Sequence, residues 1–307
     1  SKLVEIAPEG IEKAFILSTG SEATECAVKL ARTLGVEQFG PDKHVIVSFE
    51  NAFHGRTLGA QLAGGMRKLK DWIVRTDAGF VQVPFPDGYK NEDTRFELFE
   101  ESLTQQGVSP QSVAGVMTES YQGVGPDFLP ARYAQQLRAW CDEHAAALIM
   151  DEVQAGFGRT GRMWCFEHYG VVPDLICCGK GISSSLPLSA VLGRTDLMDQ
   201  YAPGSMTSTH SGNPVCCAAA LANIEVLQQE GLVEHAAELG LVLRSGLEEL
   251  GLTETIVKLY RSRVRGVTGT GLVVTLNQFQ VEDDVLCGHR FSRLAVALDV
   301  QAETMGL

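Results

Sequence analysis

The stretch Asp174-Leu-Ile-Cys-Cys-Gly-Lys-Gly-Ile-Ser-Ser-Ser-Leu-Pro-Leu-Ser189 places a single lysine, Lys180, between two glycines directly after an apolar run. A short apolar run bounded by glycine is typical of a strand that is buried on both faces. The ordinary interpretation of such a lysine is a solvated loop residue, because ammonium groups are rarely buried without a partner. The rest of the chain decides whether Lys180 has a chemical task instead.

Short apolar, β-branched runs alternate along the chain with longer amphipathic segments. The pattern predicts strands at residues 14–17, 44–49, 80–83, 113–118, 147–150, 175–177 and 188–192, and helices at 21–34, 95–106 and 130–144. Strands that alternate with helices are typical of an α/β fold, in which a mostly parallel sheet is covered by helices on both faces. Ligands of such sheets bind at the carboxyl ends of the strands, so functional residues are expected just after these runs.

The chain is long enough for two domains, with 307 residues of which 45% are hydrophobic. Residues 213–229 and 233–250 are predicted to form long helices that leave the sheet domain, and residues 271–276 are predicted to form a strand. We interpret residues 213–307 as an interdomain helix followed by part of a smaller α+β domain.

The charge of the chain restricts its partners. A net charge of −13 argues against nucleic acid and anionic membranes, since both require clustered lysine and arginine. No run reaches the ~18 apolar residues of a membrane-spanning helix. The opening residues lack the basic start and apolar core of a signal peptide.

The eight cysteines point to a reducing compartment. Two pairs are adjacent, Cys177-Cys178 and Cys216-Cys217, and both lie within apolar runs. No C-x-x-C pair occurs, which argues against zinc and thioredoxin-like sites, and no metal site is predicted. Cysteines used as small buried hydrophobes predict a cytoplasmic protein, with the mitochondrial matrix as the alternative.

The segment Phe15-Ile-Leu-Ser-Thr-Gly-Ser-Glu-Ala-Thr-Glu25 is a predicted strand, a short polar turn and the start of a helix. Free backbone N–H groups at a helix start, together with serine and threonine hydroxyls, can bind an anion. The alternative is ordinary helix capping by Ser18, Thr19 or Ser21.

The segment Ile149-Met-Asp-Glu-Val-Gln-Ala-Gly-Phe-Gly-Arg-Thr-Gly161 ends another apolar strand with Asp151 and contains a literal G-x-G-x-x-G. We reject a dinucleotide site, because the carboxylate would repel a pyrophosphate and Arg162-Met-Trp164 is not an evident helix start. Asp151 is expected to face a cation. The alternative is a buried aspartate that loop amides satisfy.

Lys180 does not belong to a phosphate-binding P-loop, because residue 174 is Asp where the first glycine should be and Gly181 replaces the required Ser or Thr. Lys180 and Asp151 stand 29 residues apart, and each follows a predicted strand, so one connection can bring them to neighbouring strand ends. Pyridoxal phosphate needs a lysine for a Schiff base, a carboxylate for its pyridine nitrogen and a phosphate cradle. The three motifs together suit this cofactor.

The segments Asp151-Glu-Val-Gln-Ala-Gly-Phe-Gly-Arg-Thr-Gly161 and Pro173-Asp-Leu-Ile-Cys-Cys-Gly-Lys-Gly181 resemble the signature region of the class III (ω-type) aminotransferases, which are fold-type-I pyridoxal phosphate enzymes. Residues 18–32, 52–57 and 208–214 resemble three further blocks of that family, in the family's order. The resemblance implies a mostly parallel seven-stranded sheet with helices on both faces in a large cofactor-binding domain at residues 10–212. Residues 1–9 would then be the remnant of an N-terminal segment.

The resemblance also implies the role of each matching residue at the cofactor. Lys180 would hold pyridoxal 5'-phosphate as an internal aldimine and then act as the general base, and Asp151 would pair with the pyridinium nitrogen. Gln154 would bind the ring hydroxyl, while Val153 and Phe53 would cover the two ring faces. The remaining implied cofactor positions are Gly20 and Ser21 at the phosphate, His54 without an assigned step, and Thr209 contributed by the partner subunit of a homodimer.

Arg56 and Glu119 match positions of the family that line the substrate side, and Arg56 resembles the arginine that receives a substrate carboxylate. The implied activity is transfer of an amino group from an amine or ω-amino acid, of the 4-aminobutyrate type, to a 2-oxo acid. Val124 stands where some relatives carry a glutamate that pairs with a second arginine, which weakens that substrate assignment. The alternatives are a decarboxylase, epimerase or aminomutase of the same fold, or an inactive truncated relative that only forms an interface.

Overall fold

The computed structural model describes residues 1–88, 90–124 and 127–249. The strands are β1 (Lys13–Leu17), β2 (Val45–Phe49), β3 (Phe80–Val83), β4 (Val113–Glu119), β5 (Tyr121–Gln122), β6 (Asp127–Phe128), β7 (Ala147–Asp151), β8 (Leu175–Cys178) and β9 (Ser189–Gly193). The helices are α1 (Lys2–Glu5), α2 (Gly20–Phe39), α3 (Leu58–Ala63), α4 (Glu97–Gln105), α5 (Ala131–Glu143), α6 (Thr195–Met198), α7 (Pro214–Gln229) and α8 (Leu232–Glu249).

Seven strands form one sheet in the order β1-β9-β8-β7-β4-β2-β3, and β5 and β6 form a separate two-stranded antiparallel sheet. The four pairs from β8 to β3 are parallel, whereas β9 runs antiparallel to both of its neighbours. The predicted α/β fold with a mostly parallel seven-stranded sheet is therefore confirmed. The predicted strand at 271–276 lies outside the described residues.

Helices cover both faces of the sheet because successive strand residues point to opposite sides. In β2, Ile46 packs into the apolar cluster under α2, while Val47 packs into the cluster on the other face, which contains Leu137 of α5. β7 repeats this division, with Leu148 on the α5 side and Ile149 on the α2 side. Burial on both faces explains why these strands read as continuous apolar runs.

Helix α2 continues five residues beyond its predicted end at residue 34, because Gly35 does not act as a helix terminator. A Cβ at Gly35 would lie 2.6 Å from the backbone oxygen of Lys43, so this glycine allows a close approach of the chain inside the helix. The helix ends instead at Gly40, whose φ of 95° lies in the left-handed region.

The parallel register collects polar residues at one edge of the sheet. Glu119 of β4 lies opposite Asp151 of β7, and Asp151 lies opposite Cys177 of β8. Lys180 follows β8 by two residues, so it reaches the same edge as Asp151. The expectation that one connection brings Asp151 and Lys180 to neighbouring strand ends is confirmed.

The glycines of the rejected dinucleotide motif lie in turns after β7 and not at a helix start. Gly158 and Gly161 have φ values of 83° and 80°, which side-chain-bearing residues rarely adopt. A Cβ at Gly161 would also lie 2.7 Å from the Cβ of Ala237 in α8. These two glycines therefore allow a tight turn under α8.

The described cysteines are all free thiols; Cys217 is half-buried, and Cys26, Cys141, Cys165, Cys177, Cys178 and Cys216 are buried. They behave as the predicted small hydrophobes of the core. Among the helices of the described residues, none has the length and apolar character that spanning a membrane requires. The helices predicted at 213–229 and 233–250 correspond to α7 and α8.

Candidate functional site

A cavity of about 390 Å³ opens at the carboxyl edge of the sheet. Every predicted site residue except Thr209 lines it: Gly20, Ser21, Phe53, His54, Arg56, Glu119, Asp151, Val153, Gln154 and Lys180. Thr209 is exposed in a turn before α7, and the neighbouring Ser208 hydroxyl lies 3.2 Å from Oε1 of Glu22 in the first turn of α2. Five separate segments of the chain therefore converge on one cavity.

The start of α2 forms one wall of the cavity. Thr19 is the N-cap, since its side chain accepts a hydrogen bond from the N–H of Glu22 at 3.2 Å. The Glu22 carboxylate accepts in return from the N–H groups of Thr19 and Ser18, both at 2.9 Å. The capping box thus provides partners for the N–H groups of Ser18, Thr19 and Glu22. The N–H groups of Gly20 and Ser21 have no partner within the helix, and both residues line the cavity.

Glycine is required at positions 20 and 55, because the backbone there lies very close to neighbouring side chains. A Cβ at Gly20 would lie 2.8 Å from Cγ1 of Val153, and a Cβ at Gly55 would collide with the side chain of Ser21. Gly55 also has a φ of 133°, outside the range of other residues. The Ser21 hydroxyl accepts a hydrogen bond from the N–H of Arg56 at 3.1 Å, which ties the two segments together.

The Asp151 carboxylate is buried and has two partners. Its Oδ2 lies 2.8 Å from Nδ1 of His54, and its Oδ1 accepts from the N–H of Val153 at 3.0 Å. His54 is wholly buried, and its Nε2 has no hydrogen-bond partner among the described residues. Burial alone would lower the pKa of His54, but the hydrogen bond and charge of Asp151, with the charge of Glu119, outweigh it and raise that pKa.

Lys180 stands at the first position of a 3-10 turn, Lys180–Ile182, with a φ of 39°. Its Nζ donates to Oε1 of Gln154 at 2.5 Å. Burial lowers the pKa of the amine below its usual value, and the Arg159 charge adds to this, while the charges of Asp151 and Glu119 oppose it. A lowered pKa increases the neutral fraction of the amine, which is the nucleophilic form.

Glu119 holds two walls of the cavity in place. Its Oε2 accepts from the N–H of Phe53, and its Oε1 accepts from the N–H of Gly123, both at 2.9 Å. The pKa of Glu119 is raised to about 7, chiefly by burial; the Asp151 charge also raises it, while the His54 charge and the two backbone hydrogen bonds lower it. Each oxygen of the Glu119 carboxylate thus accepts one hydrogen bond from a backbone N–H group that lines the cavity.

Apolar and amide groups form the remaining walls. The guanidinium carbon of Arg56 lies 5.6 Å from the ring centroid of Phe53, within the range of a cation–π contact. Gln154 packs closely against Gly123, where a Cβ would lie 2.9 Å from the Gln154 amide. Val124 follows at the cavity and is 56% exposed.

The sequence did not reveal that His54 is the partner of Asp151, or that Glu152 bonds away from the cavity. Residues 151 and 54 are 97 positions apart, and no local pattern links them. Glu152 does not reach the cavity: it accepts hydrogen bonds from the N–H groups of Cys165 at 2.8 Å and Phe166 at 3.2 Å, and from the Ser120 hydroxyl. Of these two adjacent acidic residues, Asp151 therefore lines the cavity, whereas Glu152 stabilises the loop behind it.

Comparison with known proteins gives a consistent result. Residues 1–296 match the family described as aminotransferase class-III. The acetylornithine aminotransferase of Nitrosomonas europaea is 37% identical over 232 residues, which cover 75% of this chain and 56% of the relative. A probable 4-aminobutyrate aminotransferase of Bacillus subtilis is 37% identical over 253 residues, covering 79% of this chain and 57% of the relative.

The fold agrees with that of solved transaminases. An amine transaminase from an uncultivated Pseudomonas species, in its PLP-bound (internal aldimine) form, matches with a TM-score of 0.76 and 31% identity over 89% of this chain and 64% of that chain. The chain spans little more than half the length of the curated relatives it matches. From the family match and these identities, the chain belongs to the class III aminotransferases, a family of pyridoxal phosphate-dependent enzymes.

Proposed function

We propose that the protein is a pyridoxal phosphate-dependent aminotransferase that moves an amino group from an amine or ω-amino acid to a 2-oxo acid. One observation carries the proposal: the Lys180 amine and the Asp151 carboxylate line the same cavity, together with the open first turn of α2. An amine, a carboxylate and an anion cradle at one site are the three groups that this cofactor requires.

The residues at the cavity fit the cofactor part by part. The Gly20 and Ser21 amides and the Ser21 hydroxyl would hold the phosphate, since a helix start attracts an anion. The absence of a Cβ at Gly20 leaves room between this turn and Val153. Phe53 and Val153 would cover the ring faces, and Gln154 would bind the ring hydroxyl.

Asp151 would hold a proton on the ring nitrogen of the cofactor. The cofactor, when bound, supplies an electron sink for the charge left on the substrate carbon. His54 supports Asp151 in this task, because its raised pKa favours the imidazolium, which donates to the carboxylate from Nδ1. The Val153 amide donates to the other carboxylate oxygen, so the orientation of the carboxylate is fixed from two sides.

Lys180 would bind the cofactor through its amine and afterwards move the substrate proton on Nζ. Both tasks need a neutral amine near neutral pH, and the lowered pKa of Lys180 favours that form. The bond from Nζ to Gln154 keeps the amine at the cavity while it is free.

Arg56 and Glu119 are the proposed substrate-side residues. The Arg56 guanidinium beside Phe53 would pair with a substrate carboxylate, while Glu119 would position the wall through its bonds to Phe53 and Gly123. We further propose a homodimer in which the partner subunit's Thr209 reaches the phosphate. Thr209 is exposed and does not line the cavity of its own subunit, which is consistent with that role.

The relatives support the substrate class, since those at 37% identity are named for acetylornithine and 4-aminobutyrate, both of which carry an amine remote from a carboxylate. We place the large domain at residues 10–212 and the interdomain helix with part of the small domain at residues 213–307. The buried free thiols favour the cytoplasm, or alternatively the mitochondrial matrix.

The experiment that tests the proposal is reduction of the protein with borohydride in the presence of pyridoxal phosphate, followed by peptide mapping. The label is expected on Lys180, absent in Lys180→Ala and unchanged in Lys68→Ala, which removes an exposed lysine. Label at another lysine, or none, contradicts the proposal and favours a protein that only forms an interface.

The type of reaction is tested with the loaded protein and an amino donor. A transaminase converts bound cofactor to pyridoxamine phosphate with a stoichiometric amount of oxo product. A decarboxylase releases carbon dioxide, and an epimerase or aminomutase returns the cofactor unchanged. Either of the last two results contradicts amino transfer.

A further inference from the structure

The side-chain amide of Asn223, on α7, bonds to the turn that follows Lys180. Its Nδ2 donates to the carbonyl oxygens of Gly181 at 2.8 Å and Ile182 at 3.3 Å. Its Oδ1 accepts from the hydroxyl of Ser184 at 2.7 Å. One side chain thus binds three groups within four residues of the segment that carries the lysine.

This segment has an unusual backbone. Lys180 and Ser184 have φ values of 39° and 61°, a region that residues with a Cβ rarely adopt. Such conformations persist only where surrounding contacts hold them. The three groups bound by Asn223 belong to Gly181, Ile182 and Ser184, so they lie between or at the two strained positions.

The orientation of the turn matters because Lys180 stands between two cavities. One is the cavity of about 390 Å³ that contains Asp151, and the other, of about 520 Å³, lies on the side of Ser184 and Arg159. The bond of Nζ to Gln154 directs the amine to the first cavity. A turn free to rotate would release the amine into the second one.

The face of α7 beside the turn is otherwise apolar. Cys216, Ala220 and Ile224 recur at four-residue spacing and are buried in the core that also contains Ile182. Asn223 stands next to this row and is half-buried. Partial burial removes some of the water around the amide, and the bonds of Asn223 to the Lys180 turn replace that water.

We propose that Asn223 is a positioning residue that fixes the turn carrying Lys180 and so keeps the Lys180 amine in the cavity that contains Asp151. This inference rests on the proposed function, in which Lys180 is the amine that binds the cofactor. Asn223 is not among the residues that line either of the two cavities. It links the interdomain helix α7 to the orientation of the lysine.

The consequence is a specific pH effect. Burial lowers the pKa of Lys180, Arg159 lowers it further, and Asp151 and Glu119 oppose them. His54 and Arg56 are the other ionisable side chains that line the cavity beside these groups. An amine that leaves this position for water regains an ordinary pKa, so its neutral fraction at a given pH falls.

The experiment measures the rate at which cofactor-free protein incorporates pyridoxal phosphate at Lys180, fixed by borohydride and located by peptide mapping, between pH 6 and 10. Asn223→Ala is expected to slow incorporation about three- to tenfold near pH 7.5, the size of effect expected for one or two net hydrogen bonds. The midpoint of the pH profile is expected to rise. Gln228→Ala, which removes an exposed amide from the same helix, is the matched control and should match the wild type.

The second variant separates positioning from simple loss of fold. Ser184→Gly relieves the left-handed backbone at position 184, so adding it to Asn223→Ala is expected to restore part of the rate and of the pH midpoint. The thermal unfolding midpoint of each variant is measured alongside.

Absence of label in the wild type contradicts the proposed function itself. With a labelled wild type, an unchanged rate and pH midpoint in Asn223→Ala overturn the role of Asn223. An equal loss in Gln228→Ala, or no rescue by Ser184→Gly, also overturns it.

Discussion

Nδ1 of His54 lies 2.8 Å from Oδ2 of Asp151, and both side chains are buried at the cavity. The two residues come from different segments, the loop after β2 and the end of β7. The imidazole therefore acts on the cavity through the carboxylate, as a neighbour that sets its orientation and charge.

His54→Ala is expected to slow the donor half-reaction about 10- to 100-fold, the loss expected when a charged group gives up a hydrogen bond of about 1.5–3 kcal/mol. The measurement is single-turnover absorbance of the bound cofactor. His235→Ala, which removes an exposed histidine on α8, is the control. A His54→Ala rate within the error of the control would contradict the supporting role of His54.

Ser21→Ala is expected to weaken binding of pyridoxal phosphate about tenfold, because it removes the proposed phosphate donor and also the acceptor for the Arg56 N–H. Binding of pyridoxal, which lacks the phosphate, should change less than about twofold, since the lost donor then has no phosphate to bind. Titration of the cofactor absorbance band measures both affinities, and Ser205→Ala, at an exposed serine, is the control. Equal losses for the two ligands would place the phosphate elsewhere.

Arg56→Met is expected to raise the KM of donors that carry a carboxylate about 10- to 100-fold, because a charge-assisted pair is lost. The KM of amines without a carboxylate should stay unchanged. Steady-state rates with both donor types decide this, and Arg67→Met, at an exposed arginine, is the control. A similar effect on both donor types would show that Arg56 acts on the fold or the cofactor.

Glu119 is expected to make the folded state less stable as the pH rises. Its pKa is raised from 4.5 to about 7 in the folded protein, chiefly by burial. Between these pH values the folded state binds the extra proton, so the stabilising contribution is complete below about pH 4.5 and is lost as the pH rises through about 7. Burial also raises the pKa of Glu152 to about 7, so this group likewise makes the folded state less stable as the pH rises.

Glu119→Gln should therefore flatten the fall of unfolding free energy between pH 5 and pH 7.5 by on the order of 3 kcal/mol. Urea unfolding of the cofactor-free protein at several pH values measures this slope. Glu101→Gln, at an exposed glutamate on α4, is the control. A slope as steep as that of the wild type would contradict the raised pKa of Glu119.

Most of the sheet could be predicted because each strand carries its own signal. The runs that form β1, β2 and β7 are apolar and bounded by turn residues, and the seven strands of the sheet agree with the predictions to one residue at each end. The end of α2 was predicted wrongly because Gly35 resembles a terminator locally, whereas its real constraint is the Lys43 carbonyl, a tertiary neighbour.

The sequence by itself determined the α/β class, the family and the residues that carry the amine, the carboxylate and the helix start, since each follows a strand at a position that local pattern reveals. Only the tertiary structure decided which side chains support them. His54 reaches Asp151, Glu119 holds Phe53, and Asn223 holds the Lys180 turn across separations of 97, 66 and about 40 residues. Contacts over such distances depend on which strands are neighbours and which face each side chain takes, and no local periodicity encodes that pairing.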